Sequence, residues 1–175
     1  MEITLRDIDK TNWLTCIKLR PGEEQRHFIA SNLFSLAEAK VYPECVPMGI
    51  YYGDSMVGFV MFAPDSDAPG SYWIIRFMVD RDYQGKGYGT AAMREVIRRL
   101  ESQLGIKQLL LSVVPENTAA GEFYTRLGFE KTDRMVEDER VMRLTLDRPS
   151  GAGPARVDPS GAGPSGADPA RDHPA

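Results

Sequence analysis

From residue 79 to residue 90 the chain reads Val-Asp-Arg-Asp-Tyr-Gln-Gly-Lys-Gly-Tyr-Gly-Thr. Gly85, Gly87 and Gly89 remove side chains from a short turn, so its backbone N–H groups can approach a ligand closely. The run behind the turn has helical periodicity. A helix start adds unpaired N–H groups and the positive end of a dipole. Gln84, Gly85, Lys86, Gly87, Tyr88, Gly89 and Thr90 together make an anion cradle of the kind that holds a pyrophosphate. The GxxxxGK[ST] loop of nucleotide triphosphatases is absent. The dinucleotide pattern GxGxxG belongs after a first strand, whereas this turn follows the fourth. On its own, the turn also reads as one kept for packing.

A second segment is Asn117-Thr118-Ala119-Ala120-Gly121-Glu122-Phe123-Tyr124-Thr125-Arg126-Leu127-Gly128-Phe129. Asn117 ends an apolar strand and is placed to cap the helix behind it. Tyr124 lies two turns into that helix, as a core tyrosine with a wet tip or as a group with chemistry to do. Cys16 and Cys45 are far apart, and His27 and His173 are the only histidines. No metal site is readable from that inventory, and two buried thiols are expected.

The elements that must position these residues follow from periodicity. Residues 2–7 alternate as a strand. Residues 9–19 read as a helix with Trp13, Cys16 and Ile17 inward. After Pro21-Gly22, apolar residues Phe28, Ile29, Leu33, Leu36, Ala37 and Ala39 recur at helical spacing over 23–40. Pro43 and Pro47 bracket the exit. Residues 48–52 and 56–62 form a hairpin about Gly53-Asp54-Ser55, and 72–79 is the fourth strand. Residues 90–104 make an amphipathic helix with Met93, Val96, Ile97, Leu100 and Leu104 inward, stopped by Gly105. Residues 107–114 are so apolar that both faces of that strand must be covered. A helix over 118–127 and two strands, 129–134 and 140–146, close the chain around the acids 137–139. The order is β-α-α-β-β-β-α-β-α-β-β.

Composition bounds the rest. Six of the 12 prolines of this 175-residue chain fall at every fifth position from Pro149 to Pro174. Pro, Gly, Ala and Ser supply 20 of the 27 residues in 149–175, which hold one Val and no larger apolar residue. Such a segment cannot bury enough surface to offset its chain entropy, so one domain over 1–148 and a disordered tail over 149–175 are expected. The tail is an imperfect ten-residue repeat. A net charge of −4 argues against general nucleic-acid binding. The first ten residues lack the apolar core of a signal peptide, and no run is long enough to span a membrane, so a cytoplasmic location is expected.

Gln-x-x-Gly-x-Gly after the fourth strand, Asn117 after the fifth and Tyr-x-Arg-x-Gly-Phe beyond it resemble the GNAT superfamily of N-acetyltransferases. The likeness spans the element order from residue 2 to residue 146. It implies an α/β (α+β layered) fold, a mixed, mostly antiparallel sheet flanked by helices, whose fourth and fifth strands splay apart. Acetyl-coenzyme A would lie in the wedge as co-substrate, with no metal. Its pantetheine arm would meet backbone groups of Phe77, Met78 and Val79 and the side chain of Asn117. The pyrophosphate would rest on residues 84–90, with Lys86 and Arg126 near the adenosine. A backbone N–H of Phe77 or Met78 would stabilise the thioester oxyanion. Tyr124 matches the tyrosine that protonates the leaving thiolate.

Residues 47–62 and 73–89 look most like bacterial spermine/spermidine acetyltransferases, which implies a small primary amine as substrate. Many such relatives carry an acid eight residues before the tyrosine of the turn. That tyrosine is Tyr83 here, and the corresponding residue is Ile75. Glu38, Glu44 and the acids Glu137–Glu139 are the candidates for the base. The acids at 137–139 would also attract a polycation. The other readings are acetylation of an antibiotic or secondary-metabolite amine or of a protein N-terminus, and a non-catalytic acetyl-coenzyme A sensor. The family also implies a homodimer.

Overall fold

The computed structural model describes residues 2–146. The expected tail over 149–175, and with it the domain boundary at 148, lies outside the described residues. Seven strands form one sheet: β1 (Ile3–Asp7), β2 (Val46–Tyr52), β3 (Ser55–Pro64), β4 (Ser71–Val79), β5 (Gln108–Val113), β6 (Glu130–Val136) and β7 (Glu139–Thr145). Their order is β1-β2-β3-β4-β5-β7-β6. Every pairing is antiparallel except β4 with β5. The helices are α1 (Trp13–Cys16), α2 (Asn32–Val41), α3 (Tyr88–Leu104) and α4 (Thr118–Arg126), with single 3-10 turns at Glu23–Gln25 and Arg81–Tyr83.

The sheet separates two cores. On one face Ile74, Val60, Leu109, Leu111 and Met142 pack with Met93, Val96 and Leu100 of α3 and with Phe129 after α4. On the other face Phe59, Met61, Ala63 and Met78 pack with Cys16, Leu19 and Cys45 beside α1 and α2. Strand alternation delivers the two sets, since successive side chains point to opposite faces. Among the described residues no helix is long and apolar enough to cross a membrane.

The first two helices depart from the expected pattern. The helix expected over 9–19 shrinks to one turn. The Asp9 carboxylate accepts from the backbone N–H and hydroxyl of Thr11, and the Asn12 side chain bonds Asp9 and Asp7, so local side-chain bonds hold the chain in turns. Trp13, expected inward, is exposed. The stretch 23–40 divides, because Ser31 caps α2 by accepting from the Phe34 N–H. The polar side of α2 is turned inward: Asn32, Ser35 and Glu38 are buried, Leu36 and Ala39 pack half-buried as expected, and Leu33 and Phe34 are 58% and 47% exposed. The reason is the strand opposite, where Asn32 meets Met78 and Glu38 meets Arg76. Leu104, expected inward on α3, is also exposed at the last turn.

Candidate active site between β4 and β5

The parallel pairing of β4 with β5 covers three rungs, from Ser71↔Gln108 to Trp73↔Leu110. Beyond Trp73 the strands part. β4 stays paired to β3, and β5 to β7, so the splay opens a wedge rather than breaking the sheet. Ile75 is the extra residue of a bulge, since Met61 pairs with Arg76 and Phe62 with Ile74. The Asp80 N–H donates to Val57 O. Bonded pairs alternate in an antiparallel ladder, so Met78 exchanges its bonds with Phe59, while Phe77 and Val79 turn theirs into the wedge. The three backbone positions expected there narrow to two.

The glycine turn sits at the wide end of this wedge. Gly85 and Gly87 have φ of +72° and +83°, where a β-carbon is strained. A β-carbon built on either would meet nothing within 4 Å, so both face open space. Gly89 instead packs on Phe123, whose ring lies 3.5 Å from where its β-carbon would be. Gly87 is the N-cap of α3, and no side chain caps that end. The N–H groups of Tyr88, Gly89 and Thr90 therefore point outward without intrahelical acceptors. Rings hold the helix start in place: Tyr88 meets Tyr83 and Tyr52 edge-on, each at 5.4 Å.

Two further anchors were not legible in the motif. The buried Asp80 carboxylate accepts from the N–H groups of Arg20 at 2.8 Å and Asp82 at 3.1 Å, tying the turn to the segment after α1. The Gln84 amide donates to Val79 O and to Gln25 Oε1, each at 2.8 Å, so it braces the wedge carbonyl of Val79. Lys86 Nζ bonds Asp82 O, and Arg126 pairs with Glu122 at 3.6 Å; both cations are at the surface.

Asn117 caps α4, its Oδ1 accepting from the Ala120 N–H at 3.1 Å. That leaves its amide N–H₂ as the group with donors to offer. Tyr124 is half-buried, with its ring edge-on to Phe123 at 5.1 Å and Phe129 at 5.6 Å. Phe123 in turn stacks on Phe77 of β4 at 6.1 Å, so α4 leans on the wedge strand itself. Burial pushes the Tyr124 phenol well above its ordinary range, since a low-dielectric setting disfavours the charged form.

The opposite face of the wedge carries polar groups. Glu38 of α2 is 2% exposed and lies 3.3 Å from the Arg76 guanidinium, which also donates to Ile75 O. On the β5 side the Ser112 hydroxyl donates to the Glu139 carboxylate of β7. A cavity of about 210 Å³ continues along this face, lined by Leu110, Val141, Thr132, Arg134 and Arg143 among others. Arg134 lies over the Trp73 ring at 5.2 Å. Of the acids considered as a base, Glu44, Glu137 and Asp138 are exposed, and Glu38 and Glu139 border the wedge. The register that joins Ser112 to Glu139 depends on β7 inserting between β5 and β6, which local periodicity does not reveal.

A wedge between two strands, with a phosphate cradle at its mouth and a phenol on one side, is the architecture of an acyl-coenzyme A transferase. Residues 5–129 match the acetyltransferase (GNAT) family model. The spermine/spermidine N(1)-acetyltransferase of Bacillus subtilis (strain 168) is 31% identical over 148 residues, spanning 81% of this chain and 97% of that protein. The solved structure of an aminoglycoside acetyltransferase in complex with coenzyme A superposes with a TM-score of 0.69 at 16% identity, covering 82% of this chain and 95% of that one. That of the Vibrio cholerae spermidine N-acetyltransferase in complex with coenzyme A and spermine gives 0.65 at 17% identity, over 82% and 94%. The chain belongs to the GNAT acetyltransferase family. It is an acetyl-CoA-dependent N-acetyltransferase.

Proposed function

We propose that the wedge transfers an acetyl group to a primary amine of the polyamine class, such as spermidine or spermine. The single observation carrying the reaction is the wedge itself: backbone groups of β4 left without a partner on β5, an open cradle at Gly85–Thr90, and a phenol at its side. The polyamine class is supported by the 31% identity to a spermine/spermidine acetyltransferase over nearly its whole length.

Acetyl-CoA supplies the acyl group activated as a thioester. Its diphosphate suits the cradle, where a side chain at Gly85 or Gly87 would fill the space. The N–H groups of Gly85 to Thr90 hold it, and the Asn117 amide faces the arm. The Phe77 N–H is the donor placed for the acyl oxygen, and the Val79 groups hold the chain behind it. Tyr124 gives its phenolic proton to the departing sulfur. α3 and α4 cover one face of the wedge, so the amine arrives on the face of α2, Ser112 and Glu139.

The test is release of free thiol from acetyl-CoA with a panel of amines, with mass spectrometry of the product. Turnover with spermidine supports the proposal. Turnover confined to aminoglycosides, metabolite amines or peptide N-termini replaces the amine class. Tight acetyl-CoA binding with no turnover on any amine would make the chain a sensor. A homodimer is proposed as well, supported by the apolar residues Leu33, Phe34 and Val41 on the solvent side of α2; a monomeric mass in solution would refute it.

A further inference from the structure

Amines of this class are ammonium ions near neutral pH, so a base has to take one proton before the nitrogen can attack. Ile75, at the bulge, has no group for this. We propose that Glu139 of β7 is that base, held on the wedge by Ser112; the inference rests on the acetyl-transfer reading above.

Ser112 lies on β5 beyond Leu110, the last residue paired to β4, and therefore borders the open part of the wedge. Its neighbours Leu111 and Val113 point into the core under α3, so Ser112 points to the opposite face. β5 and β7 pair Ser112 with Val141, which puts Glu139 on the same face and farther toward the open end. The Ser112 hydroxyl donates to one carboxylate oxygen of Glu139, and the other oxygen is left for a substrate proton.

The alternatives are worse placed. Glu38 is sealed beneath α2 and balances the buried Arg76 charge. Glu137 and Asp138 occupy the exposed turn between β6 and β7, and Glu44 the exposed turn before β2. The charged groups on the elements packed around Glu139 are Arg134 of β6, Arg140 and Arg143 of β7, and Glu137 and Asp138 of the turn. Among the described residues none of them forms an ion pair with it. Arg140 is turned away to donate to Thr132 O at 2.9 Å.

The proton balance closes. Glu139 takes one proton from the ammonium, the nitrogen lone pair forms the N–C bond, and the C–S bond breaks. Tyr124 protonates the thiolate from the other face. The acylated nitrogen then loses its second proton to solvent, from which the tyrosinate is reprotonated, and Glu139 releases its own, so one proton leaves per turnover. Acid and base thus act from opposite faces of one opening.

Glu139→Gln should lower kcat by about 10²-fold, within the usual range for general acid–base groups. Its rate should climb with pH in step with free amine across neutral pH, where the wild type is level. Coenzyme A affinity, measured by calorimetry, should not change. Ser112→Ala removes the hydrogen bond that holds the carboxylate on the wedge, so kcat should fall by about tenfold while coenzyme A affinity stays unchanged. A Glu139→Gln enzyme with the wild-type rate and profile overturns the proposal while leaving acetyl transfer intact. If Glu139→Gln fails to fold, an unchanged kcat in a folded Ser112→Ala protein overturns it instead. A wild-type enzyme that acetylates no amine removes the reading on which it rests.

Discussion

Replacing Gly87 by glutamate separates folding from coenzyme binding. Gly87 has φ +83° and open space where its β-carbon would lie. The folding cost is therefore conformational, about 1–2 kcal/mol for a left-handed residue that is not glycine. For a domain of this size that lowers Tm by roughly 2–8 °C, leaving the protein folded at room temperature. The binding cost is larger. A hydrogen bond to a charged group contributes about 1.5–3 kcal/mol. A side chain in the cradle displaces the diphosphate from at least two N–H groups, and its carboxylate repels what remains. Coenzyme A affinity should fall by about 10²–10⁴-fold, at about 1.4 kcal/mol per decade. Gly70→Ala is the matched control: its φ of +85° exacts the same backbone cost at the far end of β4, against only the flexible Lys107 side chain. Calorimetry of coenzyme A binding beside a thermal melt reads both quantities. Equal loss of Tm in the two variants with loss of affinity only at Gly87 is the expected result. Affinity at Gly87→Glu within about threefold of wild type, less than one decade of binding free energy, would refute the placement of the cradle.

Tyr124→Phe should lower kcat by at least about tenfold, the low side of a general-acid contribution, with coenzyme A affinity and Tm nearly unchanged because the ring keeps its contacts with Phe123 and Phe129. Arg76→Met leaves the Glu38 carboxylate buried beside an apolar strand, which should cost about 3 kcal/mol in urea denaturation, whereas Arg76→Met with Glu38→Leu should recover most of it; additive losses would show that the two do not act as a pair. Burial pushes the Cys16 and Cys45 thiols up from an ordinary 9.0 to about 12 and about 11. Above pH 9 the unfolded chain therefore binds fewer protons than the native one, so the stability these thiols contribute is intact below pH 9 and lost as pH rises toward 11–12. The urea midpoint should fall over that window, and less steeply in a Cys16→Ala/Cys45→Ala protein.

Where burial follows one apolar stripe, the sequence is legible. β3, β5 and α3 carry unbroken or periodic apolar runs, and the glycine turn announces the start of α3. The same reasoning misreads α2, because periodicity reports the spacing of apolar residues and not which face a neighbour demands. Leu33 and Ala37 look like core until Arg76 is seen on the opposing strand, asking for Glu38. The short α1 is lost for a different reason: Asp9 and Asn12 satisfy backbone groups locally that a helix would otherwise use. The anchoring roles of Asp80 and Gln84 escape notice because their partners, Arg20 and Gln25, lie about 60 residues away in sequence.

Ile75 links these observations. A regular β4 would alternate through residues 74–79 without interruption, setting Ile75 and Arg76 on opposite faces. The bulge lets both face α2, so Ile75 packs in that core while Arg76 draws Glu38 inward and with it the polar side of α2. The same extra residue shifts the phase of the bonds beyond it, which turns the groups of Phe77 and Val79 toward the wedge and leaves Met78 paired with Phe59. One irregularity thus sets both the backbone groups and the polar face that the proposed transfer would use. An acid at position 75 would sit beside Arg76 and Glu38 and compete for the same guanidinium. With isoleucine there the pair is closed, and the proton-accepting group is left to the β5–β7 side of the opening, where Ser112 holds Glu139.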